Sequence, residues 1–320
     1  MSNHVEPRRA RPEGFRETTP NHVFTPWFRL LTLLVVIFLS TLVGVGVGFA
    51  ILSANGVDQA ELYAQIGAGE YGQMGVLRWV LLVNQLFSFA LPALLTAWYL
   101  YRSDWLRRLD LRPLPAPVWL ALGTLFIFLG MFVAQFLLAL GQNLPLPDWA
   151  TQLEDQTNGL IQAMLQFGGR GDLLLALFIM AVLPAVGEEL VFRGFLQRNL
   201  KEWFGGRGVL AVWVAAAIFS AIHFQFEGFL SRMVLGALMG YLYLWSRSLW
   251  VPIVAHFFNN AFFVFIAYHG GDLLDQARAE VGEGPPDIPW VSGLLCSVTV
   301  VAFGIFLAKW ASERLKNSDT

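Results

Sequence analysis

Three polar clusters interrupt the apolar second half of this 320-residue chain, and their residue types suit acid–base chemistry. They are Glu188-Glu189 with Arg193, then His223, then His256 with Asn260. A carboxylate that lacks a counter-ion can act as a general base, and an imidazole beside an amide forms a polar patch within an apolar span. Because an ionisable side chain inside a membrane span is energetically costly, such clusters mark candidate functional sites.

The first cluster combines two carboxylates that have different neighbours along a helix. Glu189 and Arg193 are four residues apart, so they can form an ion pair on one helix face. Glu188 lies about 100° around the helix and lacks that partner, which leaves its carboxylate suited to act as a general base. The competing interpretation is that the two carboxylates end an apolar helix and are solvated among the lipid headgroups.

The two histidine clusters indicate a functional site only in combination with the carboxylates. His256 and Asn260 are four residues apart and share one helix face, although Asn259 could take the place of Asn260. A lone histidine such as His223 is more often a packed residue with one hydrogen bond. A polar pair inside a membrane can also serve helix–helix contact alone, at about 0.6 kcal/mol. The occurrence of all three clusters in one half of the chain favours a functional site.

A glycine-rich turn predicts that the first two clusters meet. The run Gly205-Gly206-Arg207-Gly208 is typical of a turn between helices. Glu188 lies 18 residues before Gly206, and His223 lies 17 residues after it. Two antiparallel helices joined at this turn would therefore place Glu188 level with His223.

The composition predicts that these clusters lie in a membrane protein. Hydrophobic residues make up 56% and charged residues 14% of the chain, and the mean hydropathy is +0.56. In soluble domains, hydrophobic residues make up about 45–50% and charged residues about 25%. The net charge of −2 gives no basis for nucleic-acid binding. The single cysteine, Cys296, excludes an internal disulfide and a multi-cysteine metal site.

Eight segments are apolar and long enough to be candidate spans of a bilayer, which needs about 20 residues of helix. Five of them carry no charge: 30–52, 79–100, 116–140, 248–268 and 290–308. Three are interrupted or bounded by polar residues: 173–187, 209–222 and 229–246. We therefore expect an all-α polytopic membrane helix bundle with about eight transmembrane helices.

The arginines and lysines of the connecting segments predict the orientation. They are concentrated in the N-terminal tail, in 101–115, in 193–208 and in the C-terminal tail, and they are nearly absent from 53–75 and 141–171. Because cytoplasmic loops carry the excess of positive charge, both termini are expected in the cytoplasm. The membrane is expected to be the bacterial inner (plasma) membrane. Apolar residues that recur between Trp149 and Phe167 predict an amphipathic helix on the outer surface.

The chain is expected to divide into four parts. These are a cytoplasmic tail (1–27), accessory transmembrane helices 1–3 with the interfacial segment (28–168), the catalytic helices 4–7 (169–270), and a loop, last helix and C-terminal tail (271–320).

In their order, the three clusters resemble the CPBP family of intramembrane proteases. That family includes the type II CAAX prenyl endopeptidases and bacterial bacteriocin-processing, Abi-like or immunity proteins. Its pattern of EExxxR, FxxxH and HxxxN is matched at Glu188-Glu189 with Arg193, at Phe219 with His223, and at His256 with Asn260. The resemblance covers about residues 170–268.

The resemblance implies hydrolysis of a peptide bond within the bilayer, in a membrane-associated peptide or protein. In that scheme Glu188 and His223 would activate a water, His256 and Asn260 would stabilise the oxyanion, and Glu189 and Arg193 would hold the site together.

A zinc site is the alternative within the same family. Its ligands would be Glu188, His223 and His256, with an open position for water. The HExxH motif that would indicate zinc is absent. No acidic residue lies between Ser248 and Tyr268 to support His256 as a ligand. We therefore expect no tightly bound metal and no other cofactor.

Two functions of other classes compete with the protease. One is a non-catalytic scaffold or bacteriocin-immunity-like protein of the same fold, which the loss of a motif residue would have favoured. The other is a proton-coupled transporter, which would place coupled charges in several spans. The charge-free segments 30–52 and 116–140 count against the transporter.

Overall fold

The computed structural model describes residues 24–281 and 290–318, and every regular element within these ranges is a helix. Residues 1–23 of the predicted N-terminal tail, residues 282–289 of the last loop and residues 319–320 lie outside the described residues. The helices are α1 (Pro26–Ala54), α2 (Gln59–Gly67), α3 (Met74–Arg108), α4 (Pro117–Gly141), α5 (Asp148–Met164), α6 (Arg170–Trp203), α7 (Gly208–Ala221), α8 (Phe229–Ser246), α9 (Trp250–Val281) and α10 (Trp290–Ser318).

The all-α helix bundle is confirmed. Each of the eight predicted segments overlaps one of these helices over nearly its whole length, and the predicted amphipathic helix is α5, which runs from Asp148 to Met164. Six helices of the described ranges are long and apolar enough to cross a membrane: α1, α3, α4, α6, α9 and α10. The other two predicted segments are α7 and α8, which pack against each other as a hairpin. The short helix α2 was not predicted.

Helix α7 is too short to cross a bilayer unaided. Its 14 residues rise about 21 Å at 1.5 Å per residue, whereas the hydrocarbon core is about 30 Å thick. Because α7 and α8 form a hairpin, the predicted orientation of both termini is the same whether or not the pair crosses the membrane.

Helix α6 is longer than the predicted segment 173–187. The competing interpretation, in which Glu188 and Glu189 end this helix among solvated headgroups, is wrong: α6 continues to Trp203, and both carboxylates are buried at its middle. The physical reason is that Arg193 neutralises Glu189 one turn later, so the helix can continue through a buried environment.

The turn between α6 and α7 lies where the glycines predicted it. Gly205 and Gly206 have φ values of 65° and 90°, which residues with a Cβ rarely adopt. Helices α6 and α7 pack against each other after this turn, and Glu188 and His223 lie in the same region of the bundle.

Helix α4 forms the core of the last third of the bundle. Its residues Phe126 and Ile127 are buried against Leu242 of α8, Val251 of α9 and Leu307 of α10. By contrast, large apolar side chains of α1 and α10 point outward: Leu34, Phe38, Val298 and Val301 among them. An apolar exterior of this kind is expected of helices that face lipid.

The predicted orientation can be tested by labelling introduced cysteines. Glu70 in the loop before α3 and Trp203 at the end of α6 are both exposed. Three long helices, α3, α4 and α6, separate them, so they should lie on opposite sides of the membrane. In a Cys296→Ser background, an impermeant maleimide applied to intact cells should label Glu70→Cys but label Trp203→Cys only after lysis. Equal labelling of both in intact cells would contradict the topology.

Candidate active site

The four residues predicted to carry the chemistry line one cavity of about 540 Å³. They are Glu188 of α6, His223 just after α7, and His256 and Asn260 of α9. We call this space the central cavity. Helices α3, α5 and α8 complete its wall with mostly apolar side chains, so a few polar groups converge in an otherwise apolar pocket. This is the usual composition of a small-molecule or peptide site.

Glu189 is fully buried and joins two helices. Its Oε1 accepts a hydrogen bond from Nη1 of Arg193 at 2.7 Å and another from Nδ1 of His256 at 2.8 Å. Arg193 also donates from Nη2 to the carbonyl oxygen of Gly236, at 2.7 Å, in α8. The Glu189 carboxylate thus fixes the His256 ring and connects α6 to α9, while Arg193 connects α6 to α8.

Glu188 has weaker partners than Glu189. Its Oε1 accepts a hydrogen bond from Nε2 of Gln85 at 3.3 Å, and its Oε2 lies 3.9 Å from Nε2 of His256. Among the residues that the structure describes, no arginine or lysine forms an ion pair with Glu188. The two adjacent carboxylates therefore differ in the way their spacing predicted: one is neutralised by Arg193, and the other faces the cavity.

The ring of His223 is held by the backbone of the preceding helix, α7. Its Nδ1 lies 2.7 Å from the carbonyl oxygen of Phe219, four residues earlier. A carbonyl only accepts, so Nδ1 carries the hydrogen and Nε2 of the neutral ring is a proton acceptor. Phe219 packs edge-on against both His223 and His256, and the Arg193 guanidinium lies 5.1 Å from its ring centre. Phe219 therefore sets the spacing of the two imidazoles.

His256 presents Nε2 towards the cavity because Nδ1 faces Glu189. Asn260 donates from Nδ2 to the carbonyl oxygen of Met180 in α6 at 3.0 Å, and its Oδ1 accepts from Nδ2 of Asn259 at 3.0 Å. Both Asn259 and Asn260 line the cavity, so access to the cavity does not decide which of them takes part in the chemistry. Asn260 is the one anchored to α6.

Three π-helical stretches surround the site: Leu86–Ala90 in α3, and Phe178–Val182 and Leu190–Gln197 in α6. Such stretches shift the hydrogen-bonding register of a helix and are frequent at functional sites. Met180, whose carbonyl oxygen accepts from Asn260, lies in one of them. Gly187 permits the close approach of α3, since a Cβ there would lie 2.9 Å from the backbone nitrogen of Ala90.

Helix α5 holds the segment that follows His223, residues 222–228, which we call the His223 loop. Oε2 of Glu154 accepts from the backbone N–H groups of Phe226 and Glu227, at 3.0 and 3.2 Å. Gln225 donates to Oδ1 of Asn158 at 3.0 Å.

Burial and the nearby carboxylates of α5 raise the pKa of Glu227. A glutamate on an amphipathic helix is usually solvated, so no sequence signal pointed to Glu154.

The described side chains that converge at the site do not form an evident set of metal ligands. Within the described part of the chain, no group of three or more His, Cys, Asp or Glu side chains is arranged to hold a metal ion. One argument from the sequence is nevertheless wrong: His256 does have a carboxylate partner, because Glu189 reaches it from α6. A carboxylate bound to a histidine is a feature that zinc sites share.

One segment of the chain, which contains the candidate site, matches a known protein family. Residues 170–262 match the family model described as Type II CAAX prenyl endopeptidase Rce1-like. The resemblance to this protease family is thereby confirmed. The match begins at α6 and ends within α9, so it includes all of the motif residues.

The curated relatives are distant. YpbD of Bacillus subtilis is 32% identical over 91 residues (27% of this chain and 43% of the relative), and YdiL of the same organism is 23% identical over 151 residues (46% and 57%). The membrane-embedded CAAX protease MroQ of Staphylococcus aureus is 26% identical over 108 residues (32% and 44%). The chain thus spans about half the length of these relatives. No solved structure matches it.

The buried Glu189–Arg193 pair predicts a large loss of stability when one partner is neutralised. Glu189→Gln leaves the Arg193 charge without its counter-ion and weakens the contact with His256, at a cost of about 3–5 kcal/mol. We expect a lower yield and a lower thermal inactivation midpoint in detergent. The exposed Glu70→Gln is the matched control and should change stability by about 0.5 kcal/mol or less. Equal stability of the two variants would contradict the structural role of Glu189.

Proposed function

We propose that this integral membrane protein is an intramembrane endopeptidase that cleaves a peptide bond in a membrane-associated protein or peptide. The observation that carries the proposal is the convergence of Glu188, His223, His256 and Asn260 on one cavity, within the segment that matches a membrane protease family. We place the enzyme in the bacterial inner membrane, in contact with the lipid bilayer.

The proposed first step is the activation of a water by Glu188 and His223. Both side chains line the cavity, and Nε2 of the neutral His223 ring is free to accept a proton. The water oxygen forms a bond to the carbonyl carbon of the substrate, while its proton passes to the Glu188–His223 pair. When the carbon–nitrogen bond breaks, the same proton returns to the leaving amine. Glu188 is the primary base in this scheme, because no cation neutralises it by contact.

The proposed second contribution is stabilisation of the oxyanion by His256 and Asn260. Nδ1 of His256 donates to Glu189, and the protonated ring can donate from Nε2 to a negative oxygen in the cavity. The amide nitrogen of Asn260 has two hydrogens, one of which is bonded to the Met180 carbonyl oxygen. That bond orients the amide, so Asn260 supplies a positioned donor at little entropic cost.

We propose that no tightly bound metal takes part. The support is geometric, since the described side chains of Glu188, His223 and His256 do not group as a ligand set. If zinc did bind, these three residues would hold it, and the metal would supply a water of lowered pKa. The contact of Glu189 with His256 is the observation that keeps this second scheme open to test.

Glu188→Gln should abolish proteolysis while leaving the protein inserted and folded. The substitution keeps the size of the side chain and removes the basic carboxylate, which should lower the rate by a factor of about 10²–10⁴. The measurement is mass spectrometry of new peptide termini in bacterial membranes after expression of the wild type or the variant. A Glu188→Gln protein that still generates the same termini, when Glu189→Asp does not, would reverse the roles of the two carboxylates.

The same experiment separates the competing functions. A scaffold or immunity-like protein would produce no new termini even as the wild type. A proton-coupled transporter would also produce none, but Glu188→Gln would abolish proton flux in reconstituted vesicles. Capture of bound proteins by the Glu188→Ala variant, compared with the cleaved proteins of the wild type, would identify the substrates.

Metal dependence has a direct test. We expect purified enzyme that was treated with a chelator and dialysed to contain less than stoichiometric zinc by elemental analysis, and to keep its activity. Stoichiometric zinc, whose removal abolishes activity and whose return restores it, would show instead that His223 and His256 are ligands. A His223→Ala variant that loses both the zinc and the activity would complete that reversal.

A further inference from the structure

Arg232, near the start of α8, is a cation of the central cavity that the proposed mechanism does not use. Its side chain is partly buried and lines the same space as Glu188 and His223. The EExxxR, FxxxH and HxxxN motifs do not include it. An arginine in this position must either neutralise a neighbouring carboxylate, bind a ligand, or be tolerated at a cost in free energy.

The hydrogen bonds of Arg232 leave most of its guanidinium free. Nη2 donates to Oε1 of Gln225 at 2.9 Å and lies 3.5 Å from the Gln225 carbonyl oxygen. The described residues provide Nη1 and Nε with no hydrogen bond, and no described carboxylate lies within 4 Å of the guanidinium. A guanidinium has five N–H donors, arranged to bind a carboxylate through two parallel hydrogen bonds.

The position of the guanidinium depends on Gly228, at the end of the His223 loop. A Cβ at Gly228 would lie 2.7 Å from Nη2 and 3.0 Å from Nη1 of Arg232. Gly228 has a φ of −82°, which any residue can adopt, so its backbone conformation does not require glycine. The absence of a side chain there gives the guanidinium its space.

The charges around Arg232 indicate the side from which an anion would approach. Gln225, Arg232, Leu235 and Phe263 line both the central cavity and a second cavity of about 320 Å³. The second cavity is also lined by the carboxylates of Glu154 and Glu227, which would repel an anion. In the central cavity the only carboxylate lining among the described residues is that of Glu188, so an anion reaches Arg232 most favourably from there.

We propose that Arg232 binds a carboxylate of the substrate and thereby selects substrates that carry one close to the cleaved bond. The inference rests on the proposed function and adds the substrate chemistry to it. The carboxylate can be the C-terminus of the peptide or the side chain of an aspartate or glutamate. In either case the bound anion accepts hydrogen bonds from the N–H groups of Arg232 that Gln225 leaves unused. It also offsets the free energy that is lost when the guanidinium is removed from water.

A binding experiment that needs no cleavage tests this inference. Glu188→Gln protein in nanodiscs is immobilised and exposed to decapeptide mixtures with randomised apolar positions. One mixture has a free C-terminal carboxylate, one has a C-terminal amide and a single internal glutamate, and one has a C-terminal amide and no acid. Mass spectrometry measures the enrichment of each mixture.

We expect at least one carboxylate-bearing mixture to be enriched about tenfold or more over the neutral one. Adding Arg232→Gln to the Glu188→Gln background should abolish this preference, and Arg232→Lys should keep part of it. Gly228→Ala, which displaces the guanidinium, should also reduce the preference. Arg207→Gln is the matched control, since Arg207 is exposed at the turn between α6 and α7 and outside the cavity.

The outcomes assign the source of the carboxylate or reject the inference. Preference for the free C-terminus alone indicates an enzyme that cleaves near chain ends, and preference for the internal glutamate indicates recognition of an acidic side chain. Equal enrichment of all mixtures, equal loss of all of them with Arg232→Gln, or enrichment of none would overturn the inference. The proposed function would still stand if wild-type membranes contain new peptide termini that the Glu188→Gln membranes lack.

Discussion

The site depends on one buried carboxylate, that of Glu189. It accepts from Arg193 one turn further along α6 and from His256 on α9, so it sets the distance between these helices at the level of the cavity. Removing one partner of a buried ion pair costs about 3–5 kcal/mol, so the three residues stabilise one another, although both contacts are made by Oε1 and the described residues give Oε2 of Glu189 no hydrogen bond. Glu188, the preceding residue, is consequently placed against the cavity by a helix whose rotation is already fixed. The proposed catalytic geometry therefore depends on the Glu189–Arg193 ion pair, which need not contact the substrate.

Spacing along the chain predicted those parts of the site that lie on one helix or on two helices joined by a short turn. The pairing of Glu189 with Arg193 follows from their separation of four residues. The position of Glu188 and His223 on one cavity follows from their similar distances to Gly206, 18 and 17 residues. The contact of Glu189 with His256 could not be predicted, because it joins α6 to α9 across 67 residues and depends on how the helices are rotated. The same holds for Gln85, which reaches Glu188 from the first half of the chain.

Most helices of the fold could be predicted from the sequence, but the end of the fourth predicted span and the contacts between helices could not. Apolar length identified eight helices, but it placed the end of the fourth at the carboxylates, because hydropathy counts Glu188 and Glu189 as a boundary whether or not they are paired inside the protein. The attachment of α5 to the His223 loop could not be predicted from the sequence either. It consists of hydrogen bonds from backbone N–H groups to the side chain of Glu154. Almost any residue can supply a backbone N–H group, so the residue types of the loop do not indicate these bonds.

The shortness of α7 has a consequence for the supply of the second reactant. Hydrolysis consumes one water per bond, and the interior of a bilayer holds almost none. If α7 spans the membrane with α8, its rise of about 21 Å falls roughly 9 Å short of a hydrocarbon layer of about 30 Å. Local thinning is one way in which a bilayer accommodates a helix that is too short. His223 lies directly beyond the end of α7, so the thinned region would bring the headgroup layer, and its hydration, next to the His223 loop.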